Sequence, residues 1–110
     1  MNKKLSSMKC EACEGLGDRL TTSKIQENMK HLKDWLVINN HHLEKTFKFK
    51  DFKEALQFVN TIGVLAEKEG HHPNIDFTWG EVTVKLWTHN LHGLTLNDFI
   101  MAAKIDELKR

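Results

Sequence analysis

Three histidines in this chain have a spacing that could bring them to one place. His71 and His72 are adjacent and precede Pro73, and His89 follows sixteen residues after the proline, at the far end of an alternating segment. Histidine is the side chain that can both give and take a proton near neutral pH. The arrangement therefore indicates proton-transfer chemistry, provided that the fold brings the imidazoles together.

The composition limits the classes of function that the chain can have. It has 110 residues, with 16 Lys+Arg against 15 Asp+Glu and a formal net charge of +1. This balance supplies no strong field to attract nucleic acid, so direct nucleic-acid binding is not expected. No apolar run approaches the ~20 residues of a membrane span, and residues 1–5 lack the apolar stretch of a signal peptide. We therefore expect one soluble, cytoplasmic domain without membrane attachment.

Hydrophobic periodicity predicts the order helix, hairpin, helix, hairpin, helix. The first helix follows the hydroxyl residues 21–23, and the second runs from a capping residue at Asp51 to about Gly70. Pro73 forbids its continuation. The third helix begins after Thr95. The predicted strands cover residues 35–38, 43–49, 75–79 and 82–89, with turns at 39–42 and 80–81.

Two hairpins and three one-sided helices predict an α+β fold, a four-stranded antiparallel sheet with three helices packed on one face (α-β-β-α-β-β-α). The domain covers residues 20–110, and residues 1–19 are expected to be a loosely ordered N-terminal segment. Strands that pair outward from the turn at 80–81 place residues near 72–74 opposite residues near 87–89. All three imidazoles can then reach one end of this hairpin, whereas a one-residue register error would move His89 to the wrong face.

Several spaced motifs carry a resemblance to a known family. The run Glu67-Lys68-x-x-His71-His72-Pro73, followed by Trp79, His89 and Asp98, resembles the signature of the pterin-4a-carbinolamine dehydratase family. The similarity covers about residues 20–108, with supporting segments at 91–95 and 97–106. The fold of that family is a four-stranded antiparallel sheet with three helices on one side, which agrees with the fold predicted from periodicity.

The resemblance implies an enzyme, a carbon-oxygen hydro-lyase. It would remove water from 4a-hydroxytetrahydrobiopterin (the pterin 4a-carbinolamine) to give quinonoid dihydrobiopterin, recycling the pterin cofactor of aromatic amino acid hydroxylases. An acid near the hydroxyl and a base near the adjacent ring nitrogen suffice, each contributing ~10²–10⁴-fold. No metal or other cofactor is needed. The resemblance also implies a homodimer or homotetramer, with an aromatic amino acid hydroxylase as a further partner.

By position, the resemblance implies that His71, His72 and His89 are catalytic. His72 is the expected principal base, and the other two donate to the hydroxyl or orient the pterin, with the acid and base roles otherwise left open. The expected substrate-binding residues are Glu67, Pro73, Trp87, Thr88 and Asp98.

Simpler structural interpretations compete with these assignments. A His-His pair before a proline is often a polar turn, as we expect for His41 and His42. Asp98 has a structural explanation as the capping-box partner of Thr95. Trp79 shares an alternation face with residues 75 and 77, which favours packing in the core or at a subunit interface over pterin stacking.

Two other functions stay open at this point. The first is a protein-binding dimerisation cofactor or regulatory module without essential catalysis, the second role known in animal members of the family. The other is a small metal-binding protein that uses the three histidines, or Cys10 and Cys13 of a C-x-x-C motif. We expect Cys10 and Cys13 to be reduced thiols without a catalytic duty, because a lone C-x-x-C is a weak signal.

Overall fold

The computed structural model describes residues 4–10 and 19–110 of the chain. The predicted order of elements is confirmed. The helices are α1 (Thr22–Met29), α2 (Phe52–Glu69) and α3 (Leu96–Asp106), and the strands are β1 (Leu36–Ile38), β2 (His42–Lys48), β3 (Asn74–Thr78) and β4 (Glu81–Leu86). Two short 3-10 turns are present as well, at Leu5–Ser7 and His89–Leu91.

The four strands form one antiparallel sheet in the order β1-β2-β4-β3. Alternate residues of β4 show how the sheet is covered, since Val82, Val84 and Leu86 are fully buried whereas Thr83 and Lys85 are only half-buried. The buried face packs against side chains from all three helices, and these include Ile25 of α1, Phe58 and Ile62 of α2, and Phe99 and Ile105 of α3. The predicted α+β fold, with an antiparallel sheet covered by helices on one face, is therefore confirmed.

Both ends of α2 lie where local sequence signals predicted them. The carboxylate of Asp51 accepts a hydrogen bond from the backbone N–H of Glu54 at 2.9 Å. Gly70 ends the helix with a φ of +69°, in the left-handed region that glycine adopts without a steric penalty. This ending places His71 directly after the helix.

The buried stripe of α2 follows helical spacing. Ala55, Phe58, Ile62 and Ala66 are buried, because residues three and four apart share a helix face. Phe58 lies in the core at 2 % exposure, whereas Leu56 is 39 % exposed. Val59 is partly buried against the same core.

The β3–β4 hairpin turns one residue earlier than predicted. Trp79 and Gly80 form the turn, Gly80 has a φ of +75°, and Thr78 pairs with Glu81. Asn74 therefore pairs with Lys85, two positions from the predicted partner, and a shift of two residues keeps every side chain on its face. Trp79 is 66 % exposed, so the interpretation that it packs in the core of this chain is wrong.

Residues 4–10 contact the two helices that flank the candidate site. The Ser6 hydroxyl donates to Glu107 at 2.5 Å, and Lys104 donates to the carbonyl of Ser6 at 3.0 Å. The division into a loosely ordered segment over 1–19 and a domain over 20–110 stays a prediction, and Cys13 lies outside the described residues. Among the helices that the structure describes, none has the length and apolar character required to span a bilayer.

Candidate active site

A fully buried carboxylate, Asp98 in the first turn of α3, organises the inner part of the site. Its Oδ2 accepts from the backbone N–H of Thr95 and from the hydroxyl of Thr88, each at 2.9 Å. Its Oδ1 lies 2.6 Å from Nε2 of His71. A buried carboxylate needs such donors because burial deprives it of water. Asp98 therefore fixes the end of β4, the start of α3 and the imidazole of His71 relative to one another.

His71 is held inside the fold, with 7 % of the residue exposed. Its backbone N–H donates to the carbonyl of Ala66 at 3.3 Å, which continues the end of α2. Because an ionised carboxylate only accepts hydrogen bonds, Nε2 of His71 donates to Asp98, and in the neutral form of the ring the lone pair is then on Nδ1. Asp98 thus selects both the orientation and the tautomer of His71.

The neighbouring imidazole forms a second carboxylate pair in a different environment. Nε2 of His72 lies 2.5 Å from Oε2 of Glu67, and the two side chains are 60 % and 79 % exposed. The same reasoning places the lone pair of His72 on Nδ1. Two histidine–carboxylate pairs therefore stand side by side, one buried and one accessible to a ligand.

The predicted strand over 82–89 ends at Leu86, and His89 begins the 3-10 turn His89–Leu91. The residues that follow β4 direct their side chains to alternate sides. Thr88 is buried on the helical side, where its hydroxyl bonds Asp98, and its backbone N–H donates to the carbonyl of Gly93 at 2.8 Å. Trp87 and His89 have the opposite parity, and their ring centroids lie 4.4 Å apart. The buried side chain of Thr88 thus lies between a half-buried Trp87 and an exposed His89.

The structure sorts the predicted site residues into three contact groups. His71 contacts Asp98, which also binds Thr88; His72 contacts Glu67; and His89 contacts Trp87. Pro73 is half-buried at the entrance to β3. The pairing of Asn74 with Lys85 brings the first residues of β3 beside the last residues of β4, so residues 71–73 and 87–89 lie at the same end of the hairpin.

Two histidines that we had assigned to a polar turn also lie at this end of the sheet. The rings of His41 and His42 are 5.1 Å and 5.8 Å from that of Trp87, and their Nδ1 atoms are 3.0 Å apart. The cause is the pairing of Leu43 with Leu86, which carries the start of β2 to the end of β4. No local sequence pattern predicts this contact, because the two strands belong to different hairpins.

Glu69 anchors the described N-terminal residues two positions before His71. Its Oε1 accepts from the backbone N–H of Cys10 at 3.0 Å, and its Oε2 lies 3.7 Å from Nζ of Lys104. The hydrogen bond from Cys10 holds the pKa of Glu69 below its ordinary value, against the opposing effect of burial and with help from the charges of Lys104 and Lys68. Residues 4–10 are thereby tied to α2 and α3 near the buried histidine.

The described residues were expected to include possible metal ligands in the three histidines and Cys10. Within residues 4–10 and 19–110, no three histidine, cysteine or acidic side chains are grouped so that they could hold a metal ion. Cys13 lies outside those ranges, so the hypothesis of a metal site at Cys10 and Cys13 stays a prediction.

Comparisons with known sequences all identify the same family. The sequence model described as pterin 4 alpha carbinolamine dehydratase matches residues 18–108. A protein of Alkaliphilus metalliredigens (strain QYMF) that carries the name pterin-4-alpha-carbinolamine dehydratase is 48% identical over 104 residues, 94% of each chain. A protein of the same name from Rubrobacter xylanophilus is 41% identical over 104 residues, 94% of this chain and 97% of the relative.

Solved structures show the same similarity in three dimensions. A crystal structure titled transcriptional coactivator/pterin dehydratase, from Brucella melitensis, has a TM-score of 0.76 and 36% identity, covering 81% of this chain and 96% of that chain. A pterin dehydratase-like protein described as a RuBisCO assembly factor in the alpha-carboxysome has a TM-score of 0.58 and 26% identity, covering 67% of this chain and 87% of that chain.

Proposed function

Because the chain belongs to the pterin 4 alpha carbinolamine dehydratase family, a family of lyases, we propose that it dehydrates 4a-hydroxytetrahydrobiopterin to quinonoid dihydrobiopterin. The observation that supports this proposal most directly is the adjacent pair of histidine–carboxylate contacts, His71 with Asp98 and His72 with Glu67. The dehydration needs one group that takes a proton and one that gives a proton, and imidazoles do both near neutral pH.

His72 is the proposed general base. Its side chain is 60 % exposed, so a bound pterin can reach it, and its lone pair is on Nδ1 because Nε2 faces Glu67. Nδ1 takes the proton from the ring nitrogen N5 of the pterin. The electron pair of that N–H bond then forms the C4a=N5 double bond, and the imidazolium is stabilised by the Glu67 carboxylate.

His89, in its protonated form, is the proposed general acid. It gives its proton to the hydroxyl on C4a, which departs as water with the electrons of the C–O bond. The ring of Trp87, 4.4 Å from that of His89, supplies a flat wall against which a bicyclic pterin can stack.

The remaining predicted residues have positioning roles in this proposal. Thr88 is 2 % exposed and its hydroxyl is engaged by Asp98, so it acts on the substrate through the buried network. Asp98 orients His71, which in turn borders the substrate next to His72. Pro73 sets the direction in which β3 leaves this corner.

An assay on the free carbinolamine tests the proposal. A hydroxylase that turns over a tetrahydropterin releases the 4a-carbinolamine, and its decay is followed by absorbance with and without the purified protein. We expect decay to be faster with the protein present. Equal rates over a range of protein concentrations would contradict the proposed function.

The wider biological role is part of the same proposal. Recycling of the pterin cofactor of aromatic amino acid hydroxylases, a hydroxylase as partner and a cytoplasmic location all follow from the proposed reaction. A homodimer or homotetramer is supported by exposed aromatic side chains beside the edge strand β3, namely Phe52, which packs on Phe77, and Trp79 in the adjoining turn.

A second candidate function is protein binding. It is favoured by the two similar structures, one titled as a transcriptional coactivator and the other as an assembly factor. Affinity capture from cell extract with the wild type and with His72→Ala separates the two functions, because a scaffold role should survive loss of the imidazole. A partner retained by both proteins would support protein binding, and no enriched partner would contradict it.

A further inference from the structure

A cavity of about 610 Å³ lies beside the turn that carries His89. Its walls come from the start of α1, from the turn between β1 and β2, and from the residues that follow His89. Thr22, Asn39, Asn40, His41 and His92 are among the lining side chains, together with Arg19. The volume lies within the roughly 300–1,000 Å³ typical of small-molecule sites.

The described side chains of this lining that can carry a charge are all basic. They are Arg19, His41 and His92, and the lining contains no described acidic side chain. Hydroxyl and amide groups of Thr22, Asn39 and Asn40 add further polar atoms. A guanidinium with neighbouring imidazoles and amides is suited to an oxyanion, because charge-assisted hydrogen bonds to carboxylate or phosphate are the strongest that these groups form.

The walls of the cavity are tied to one another. Asn40 Nδ2 donates to the Thr22 hydroxyl at 2.9 Å, which joins the β1–β2 turn to α1. Arg19 Nη1 lies 3.5 Å from the carbonyl oxygen of His92, and the Arg19 side chain passes so close to Gly93 that a Cβ there would be 2.2 Å from Arg19 Cδ. These contacts place the Arg19 side chain against the residues that follow His89, at the border of the cavity.

Two residues of the cavity wall contact the proposed catalytic residues. His41 lines the cavity, and its ring lies 5.1 Å from Trp87, whose ring is 4.4 Å from His89. On the other side, His92 donates its backbone N–H to the carbonyl of His89 at 3.2 Å. A pterin stacked on Trp87 beside His89 would therefore have the cavity at its border.

We propose that this cavity is a subsite for an anionic substituent on the pterin ring, a carboxylate or a phosphate carried by the side chain at C6. The inference rests on the proposed function, because it assumes that the ring lies at Trp87 and His89. It extends that function by assigning the substrate class. Pterins whose side chain bears an oxyanion are preferred over pterins with a neutral polyhydroxylated side chain.

Equilibrium binding of matched ligands tests the subsite. Dissociation constants are measured by calorimetry for 7,8-dihydroneopterin, for its triphosphate, and for 7,8-dihydrofolate, whose side chain ends in carboxylates. We expect at least one anionic ligand to bind about tenfold more tightly than the neutral one, as an added charge-assisted contact of ordinary strength would give. The two anionic ligands distinguish phosphate from carboxylate as the group that is recognised.

Substitutions then test whether Arg19 causes the preference for anionic ligands. Arg19→Gln removes the cationic group. It should reduce the ratio of the dissociation constant of the neutral ligand to that of the anionic ligand by about fivefold or more. Lys30→Gln removes the same charge from an exposed position outside the cavity lining and should leave the ratio unchanged. Equal affinities of the wild type for neutral and anionic ligands would overturn the subsite, as would an anion preference that Arg19→Gln retains in full.

The dehydration assay separates this inference from the function on which it rests. If the wild type accelerates decay of the neutral carbinolamine but shows no anion preference, the proposed function is supported and the subsite is contradicted. If the wild type prefers anionic pterins but does not accelerate decay, the subsite is supported and the proposed reaction is contradicted.

Discussion

The two adjacent histidines differ in what their imidazoles contribute. His71 is buried and bonded to a carboxylate that is itself fully buried, so its removal would leave Asp98 without one of its donors. His72 pairs with Glu67 in solvent, where such pairs contribute only about 0–1 kcal/mol to stability. Effects on turnover and effects on the stability of the fold can therefore be separated by substituting one histidine or the other.

Substitution of His72 should affect turnover and spare stability. We expect His72→Ala to lower the rate of carbinolamine dehydration by ~10²–10⁴-fold, because the proposed base is lost. Its free energy of unfolding should change by less than about 1 kcal/mol. Stopped-flow absorbance and urea unfolding measure the two effects. His31→Ala, at an exposed position beyond α1, is the control, and equal turnover in both variants would contradict the assignment.

Asp98→Asn should affect both properties at once. The amide nitrogen of asparagine would oppose the N–H of His71 or one of the other two donors, so the imidazole loses its orientation. We expect dehydration to slow by on the order of 10²-fold, and the free energy of unfolding to fall by about 1–3 kcal/mol. The pH profile of kcat should also change, which a purely structural role would not produce.

The matched control for this substitution is Asp76→Asn, because Asp76 is exposed on β3. It should retain the turnover and the stability of the wild type. An Asp98→Asn protein that loses stability but keeps its turnover and its pH profile would limit Asp98 to a folding role.

Local sequence signals predicted where the elements begin and end, but they did not predict how the two hairpins pair with each other. The cap at Asp51 and the stop at Gly70 are both found, because each depends on residues within one helical turn. The turn at 79–80 was placed one residue late, since either dipeptide around Gly80 is suited to a turn. The approach of His41 to Trp87 was missed because it depends on β2 pairing with β4 from the other hairpin.

Two glycines of α2 should respond oppositely to the same substitution. Gly70→Ala puts a side chain at a φ of +69°, and we expect a loss of about 1 kcal/mol in the free energy of unfolding. Gly63 lies inside the helix, and nothing lies within 4 Å of an added Cβ, so Gly63→Ala should gain about 0.5–1 kcal/mol. Urea unfolding of both variants measures the difference, and a shift of the same sign in both would contradict the assigned end of the helix.

The contact of residues 4–10 with α2 should make stability depend on pH. The pKa of Glu69 in the folded chain lies below its unfolded value, so its ionised form stabilises the fold above the unfolded pKa, and this contribution is lost as the pH falls through the folded pKa. Glu69→Gln should therefore be less stable than the wild type at pH 7, and the difference should shrink toward pH 3.

Chemical unfolding at several pH values measures this difference. Glu27→Gln is the control, because Glu27 forms an exposed ion pair with Lys24 on α1 and should change stability little. A difference between wild type and Glu69→Gln that stays constant from pH 7 to pH 3 would contradict the role of the Glu69 charge.

At the scale of the whole molecule, the exposed apolar side chains near β3 predict self-association. Strand β3 is an edge of the sheet, and edge strands offer unpaired backbone groups to another chain. Phe52 is 48 % exposed and packs on Phe77 of β3 with ring centroids 5.3 Å apart, while Trp79 is 66 % exposed in the adjoining turn. Exposed aromatic groups of this kind are typical of protein interfaces.

We expect the wild type to be a dimer or a tetramer by light scattering at micromolar concentration. The double variant Phe52→Ser, Trp79→Ser should dissociate at concentrations at least tenfold higher than the wild type, because two large apolar side chains no longer leave water on association. Val64→Ser is the matched control, since Val64 is 73 % exposed on α2 and, at 1.5 Å of rise per residue, lies roughly 18 Å along the helix from Phe52. A wild type that is monomeric throughout, or a control that dissociates as readily as the double variant, would contradict an interface at this edge.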